Sequence, residues 1–147
     1  MEDTEKRVAY SFSQICDQMT WVEERYLRKG QFSDVTAKEL RVVIVIAQLD
    51  SATARHVADG LHLTPGTLTV TINRLNEKGY TTRTRDDSDR RVVMIRLTAR
   101  GRKLYRAHRE FQREMLELVM HEMSTSSQEP LANGLERLNA KIVALGK

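Results

Sequence analysis

The chain has 147 residues, 40% of them hydrophobic, a formal net charge of +4 and a single cysteine, Cys16. That length allows one domain, with or without a dimerisation extension, and two prolines against seven glycines suit a helix-rich globular chain better than a disordered one. One cysteine excludes a disulfide framework and a CxxC metal pair, and no stretch is apolar for long enough to span a membrane.

The opening MEDTEKRVAY lacks the apolar core of a secretory signal, so a cytoplasmic protein is expected. Val8, Phe12, Ile15, Met19, Val22 and Tyr26 then recur at spacings of four and three, a heptad seam on one helix ending near Gly30. At 1.5 Å per residue that helix would be roughly 35–40 Å long, more than an ordinary core helix of so small a domain.

Next, Thr36 and Glu39 form a capping box opening a helix whose apolar positions are Leu40, Val43, Ile44, Ala47 and Leu49. A short helix follows from about Ala54 to Leu61, with Val57 and Leu61 inward and Gly60 read as its break. Thr64 is the next N-cap and Pro65 suits the first helical position. This helix is predicted to reach Lys78, with Gly79 as its stop. Two helices joined by a short turn behind an upstream helix make a helix-turn-helix.

After Gly79 the period changes to two. Residues 80–85 and 92–97 bracket an Asp/Ser-rich turn, as strands of a hairpin should. Thr98 caps a third long helix striped by Leu104, Phe111, Met115, Leu118 and Met123. Residues 123–130 read as the cap of a last helix carrying Leu131, Leu135, Leu138, Ile142 and Leu145. Each stripe alone reads first as intramolecular core. Three long seams at the two ends of a short chain, however, have little to pack on but each other, which favours interleaving in a homodimer.

The charge is concentrated. Residues 83–106 hold nine of the 24 Lys and Arg residues against three acids, on an arginine-loaded hairpin beginning at Arg83, which points to a polyanionic partner. On the helix from Pro65, the arc holding Leu68, Ile72 and Leu75 must be buried. The opposite arc carries Gly66, Thr67, Thr69, Val70, Asn73 and Arg74, polar and nearly free of acids, and suited to the major groove of double-stranded DNA. There Asn pairs with adenine, Arg with guanine, and Thr methyls touch thymine methyls. Thr64, Thr67 and the helix N-terminus are placed for backbone phosphate. At the hairpin turn, Asp89, Arg90 and Arg91 project furthest. An arginine there suits a narrow minor groove, and Asp89 is expected to hold an arginine in pose.

The run LTPGTLTVTINRLNEKGYTTRTRDDSDRRVVMIRLTARG, residues 63–101, resembles the winged helix-turn-helix core of MarR-type transcription regulators. The signatures are T-P-G-T-L-T opening the helix, L-x-x-K-G-Y closing it, D-x-R at Asp89, Arg90 and Arg91, and L-T-x-x-G after the hairpin. The resemblance implies a mainly α fold with a small β-hairpin wing (α+β). It implies a winged helix-turn-helix DNA-binding lobe over residues 36–100, with long N- and C-terminal helices, residues 1–30 and 101–147, forming a helical dimerisation lobe. It also implies a dimeric repressor on a pseudo-palindromic operator, with Arg91 as the minor-groove arginine and Asp89 as its partner. Val70 departs from the basic residue many members carry there.

Residues 21–40 and 79–98 look more like the fatty-acid-biosynthesis repressors of that family than like its drug sensors. That likeness implies acyl carrier protein bearing a long acyl chain as corepressor, with Phe12, Ile15, Met19 and Trp21 as candidate lining of an effector pocket. For any one of the four, plain dimer core outweighs that reading. A competing possibility makes Cys16 a peroxide sensor, although Asp17 beside it opposes a stabilised thiolate. His56, His62, His108 and His121 show no ligand spacing, so no metal or cofactor is expected. The absence of a nucleophile elbow, phosphate loop or paired carboxylates argues against an enzyme.

Overall fold

A computed structural model of the chain describes residues 2–49, 52–86, 89 and 91–146. Its elements are α1 (Asp3–Arg28), α2 (Ala37–Gln48), α3 (Ala54–Leu61), α4 (Pro65–Glu77), β1 (Thr81–Arg85), β2 (Val93–Leu97), α5 (Ala99–Met120) and α6 (Thr125–Leu145). The fold is mainly α with a β-hairpin wing, as the sequence predicts.

Local chemistry sets most boundaries. At the start of α2, Thr36 Oγ1 accepts the Glu39 N–H (3.2 Å) and the Glu39 carboxylate accepts the Thr36 N–H (2.9 Å). This reciprocal pair satisfies two otherwise orphaned donors. Thr53 caps α3 and Thr64 caps α4, with Pro65 at its first position. α4 ends at Gly79, whose φ of 75° suits a residue without Cβ, and the Tyr80 N–H returns to Leu75 O (2.8 Å). Thr98 Oγ1 accepts the Gly101 N–H (3.1 Å) and donates to Gly79 O (2.6 Å), capping α5 while tying it to the end of α4.

One turn residue and one boundary differ from expectation. α3 keeps its expected span to Leu61 but runs through Gly60, and its C-cap is His62, which takes the left-handed conformation (φ 53°, ψ 38°). Gly60 is a packing residue instead, since a Cβ there would come within 3.2 Å of Val45 Cγ1. α6 begins at Thr125 with Ser124 as N-cap, so Pro130 lies inside the helix and not before it.

The chain divides into two compact units, Met1–Arg109 and Glu110–Lys147, with the division falling within α5. The first is wider than residues 36–100, because the end of α1 and the start of α5 join its core. That core is built from Leu27, Leu40, Val43, Val57, Leu68, Ile72, Leu75, Tyr80, Ile95 and Leu104, all buried. Val42 and Ile46 are buried as well, so α2 is covered on more than the single stripe its periodicity suggests. The strands form an antiparallel pair in which Thr81 faces Leu97, Arg83 faces Ile95 and Arg85 faces Val93. The segment before α3 joins this pair, with a bridge between Thr53 and Met94 and an Ile95 N–H bond to Ala52 O (2.7 Å).

In the second unit α6 buries none of its described residues, and Leu135, Leu138, Ile142 and Leu145 lie exposed. α1, in the first unit, likewise exposes Val8, Phe12, Ile15 and Met19. No helix among the described residues is long and apolar enough to cross a membrane.

Candidate nucleic-acid interface

α4 presents two unlike faces. Leu68, Ile72 and Leu75 are buried, joined by Thr71, whose hydroxyl donates to Thr67 O (3.1 Å) and so carries no unmet polar cost. Gly66, Thr69, Val70, Asn73 and Arg74 are exposed and Thr67 is half-buried, on the side the sequence assigns to the groove. Thr64 Oγ1 accepts the Thr67 N–H (3.4 Å) and donates to Thr67 Oγ1 (2.9 Å). A Cβ on Gly66 would meet nothing within 4 Å, so the first turn is a low, open surface at the positive end of the helix dipole. Glu77, exposed beyond Asn73, ends this acid-free face.

The chemistry of the face is mixed. The Thr69 hydroxyl donates back to Pro65 O (2.8 Å), which leaves its methyl and its acceptor lone pairs for an outside partner. Val70 beside it is 52% exposed. An exposed valine on an otherwise polar face offers apolar contact where a basic residue would offer a charge. Asn73 Oδ1 accepts a hydrogen bond from Arg83 Nη2 (2.6 Å), tying the exposed face of α4 to β1. Thr81 Oγ1 donates to Asn76 Oδ1 at the other side of the same junction.

At the wing, the Asp86 N–H bonds Val92 O (3.0 Å), the Asp89 N–H bonds Asp86 Oδ1 (3.2 Å), and the Val92 N–H bonds Asp89 O (2.9 Å). The Asp89 carboxylate accepts the backbone N–H of Arg91 (3.0 Å). Asp89 therefore holds the arginine through the main chain of the turn, where the sequence reading expects a bond to a side chain. Arg91 is exposed. Arg90 lies outside the described residues.

Behind the interface sits a polar latch that local sequence patterns do not reveal. Lys78 Nζ donates to both oxygens of the buried Glu39 carboxylate (2.8 Å each) and to Asp34 O (2.5 Å). Arg100 donates to Lys78 O (2.7 Å), pairs with Asp34 (3.2 Å), and stacks over the Tyr80 ring at 4.4 Å. The Tyr80 hydroxyl donates to Asp34 Oδ1 (2.7 Å). Burial, and then this bond to Asp34, raise the Tyr80 hydroxyl well above the usual phenol range. The latch joins the end of α4, the start of α2 and the start of α5 through residues up to 66 positions apart. K-G-Y, the tail of a quoted motif, and Glu39 of the capping box are marked in the sequence, but neither signals the pairing between them.

The candidate effector residues Phe12, Ile15, Met19 and Trp21 all lie exposed on α1, and none is enclosed within one chain. Trp21 borders an open hollow shared with Glu24, Arg25, Arg28 and Lys29, and Arg25 stacks on its ring at 5.4 Å. Cys16 is exposed on the same helix. Among the described residues no group of three or more His, Cys, Asp or Glu could hold a metal ion.

Three comparisons bear on this geometry. The MarR family model matches residues 35–93. The crystal structure of Streptococcus pneumoniae FabT in complex with DNA is 33% identical and superposes with a TM-score of 0.85, covering 96% of this chain and 99% of that one. A MarR family protein from Bacillus stearothermophilus, 18% identical, shares the fold at a TM-score of 0.80 over 97% of this chain and 99% of its own. The organic hydroperoxide resistance transcriptional regulator of Bacillus subtilis is 30% identical over 68 residues, 46% of each chain. The match thus spans less than half the length of that curated relative.

Proposed function

Because this chain belongs to the MarR family, we propose that it is a sequence-specific DNA-binding transcription regulator, acting as a homodimeric repressor on a pseudo-palindromic operator. The carrying observation is the exposed face of α4 from Gly66 to Arg74, free of acids and joined to an arginine-bearing wing. A convex polar rod of this kind suits the major groove, where phosphates repel carboxylates and base edges offer hydrogen bonds and methyls. Thr64, Gly66 and Thr67 would meet backbone phosphate at the helix N-terminus. Thr69, Val70, Asn73 and Arg74 would meet base edges. Arg91, with Arg90 beside it, would enter the adjacent minor groove while Asp89 shapes the turn. Two copies would place their α4 helices one turn of DNA apart, roughly 34–36 Å.

We assign the regulated pathway to fatty-acid biosynthesis, with acyl carrier protein bearing a long acyl chain as corepressor. The full-length likeness to FabT supports that choice over drug sensing. Phe12, Ile15, Met19 and Trp21 would contribute to the effector site from α1. A second reading, peroxide sensing at Cys16, draws support from the exposure of that thiol and from the hydroperoxide-resistance relative.

One gel-shift series tests these assignments, using duplex DNA from the protein's own promoter. Nanomolar, salt-sensitive binding is expected, tightened by acyl-loaded carrier protein and not by the unloaded form. No shift sinks the regulator assignment. A response to hydroperoxide that Cys16→Ser abolishes, with none to acyl-loaded carrier, replaces the fatty-acid assignment.

A further inference from the structure

The bond from Arg83 Nη2 to Asn73 Oδ1 (2.6 Å) decides which way the Asn73 amide faces. A guanidinium carries donors and no acceptor. The amide must therefore turn its oxygen to Arg83, and its NH2 group faces away. Both residues are exposed, and Asn73 stands on the acid-free face of α4 one turn beyond Val70. The Arg83 backbone is held in the ladder opposite Ile95, itself buried, so the guanidinium reaches Asn73 from a fixed base.

We infer that Asn73 and Arg83 form one donor-rich reader that specifies guanine, not adenine, at one position of each operator half-site. The inference rests on the DNA-binding function proposed above. A free asparagine matches adenine because it offers one donor and one acceptor to the N7 acceptor and N6 amino group. Here one of the two lone pairs of that acceptor is taken by Arg83, whose guanidinium lies against the oxygen side of the amide. The donors left are the Asn73 Nδ2 group and the spare N–H groups of the guanidinium. Guanine turns two acceptors, N7 and O6, into the major groove, and both find partners. Adenine brings its amino group against a positively charged donor, and the bond left unmade is costly in a closed groove. Arg83 thus acts as a positioning residue, setting the hydrogen-bonding sense of its neighbour. A preference of roughly tenfold to a hundredfold is expected at that position.

The test is selection from a pool of randomised duplexes by the full chain and three variants: Asn73→Ala, Arg83→Met and Arg83→Lys. The position whose preference Asn73→Ala erases identifies the base being read. There the wild type should enrich guanine, Arg83→Met should shift the preference to adenine, and Arg83→Lys, which keeps a charged donor, should retain guanine. A purely structural role for Arg83 would lower affinity at every position without changing the base chosen. Adenine in the wild-type site, no position erased by Asn73→Ala, or an unchanged base with Arg83→Met each overturns the inference while leaving DNA binding intact. A wild-type chain that enriches no sequence overturns the regulator assignment as well.

Discussion

Gly101 lies where the first turn of α5 crosses the backbone of Tyr80, and a Cβ there would sit 2.2 Å from the Tyr80 carbonyl oxygen. In an isolated helix, alanine would be favoured over glycine by about 1 kcal/mol. In this fold the clash is with main chain, which cannot turn aside as a flexible side chain can. Gly101→Ala is therefore expected to destabilise the protein by about 1–3 kcal/mol, read as a lowered midpoint in denaturant. Sequence pattern identified the glycine only as part of L-T-x-x-G, without its neighbour. The interface residues divide in the same way. The outward placement of Gly66, Thr67, Thr69, Val70, Asn73 and Arg74 was legible because helical periodicity puts them opposite Leu68, Ile72 and Leu75, and Thr64 was legible as the N-cap. The pairing of Asn73 with Arg83 was not, because it depends on how β1 lies against α4. Nor was the grip of Asp89 on a backbone N–H, since turn geometry determines which donor comes within reach.

Among the elements, capping chemistry was the most readable signal. Thr36 with Glu39, Thr64 with Pro65, Gly79 and Thr98 each mark a boundary that the structure keeps. The residue that turns the chain after α3 was misread because a left-handed residue other than glycine is uncommon, and Gly60 stood two positions before the one that turns, although the helix ends at Leu61 as expected. His62→Gly should relieve the left-handed cost, offset in part by the greater freedom of glycine when unfolded. A net gain of about 0.5–1 kcal/mol in thermal unfolding is expected. The start of α6 was misplaced because Pro130 and three serines look like a loop, although a helix already capped at Ser124 carries the proline within it. The Glu39–Lys78 pair lay beyond any local pattern, its partners being 39 residues apart.

On the scale of the whole molecule, the exposed apolar residues of α1 and α6 remain to be covered. A second copy of the chain is the proposed cover. Burying a leucine or isoleucine side chain contributes about 1.5–3 kcal/mol. Replacing Leu138 and Ile142 together by Asp should thus weaken self-association by at least about a hundredfold, shifting sedimentation toward the monomer. Operator affinity should fall with it, because in the proposed function one α4 alone would read one half-site. A double variant that remains dimeric removes this surface from the interface. The wing, meanwhile, is moored on two sides, to Ala52 and Thr53 ahead of α3 and to Asn73 on α4. A hairpin so fastened cannot flap open as an independent flange. In the proposed dimer, an allosteric signal that loosens the grip on DNA would have to tilt each head as one piece, altering the stride between the two feet and leaving the shape of either foot unchanged.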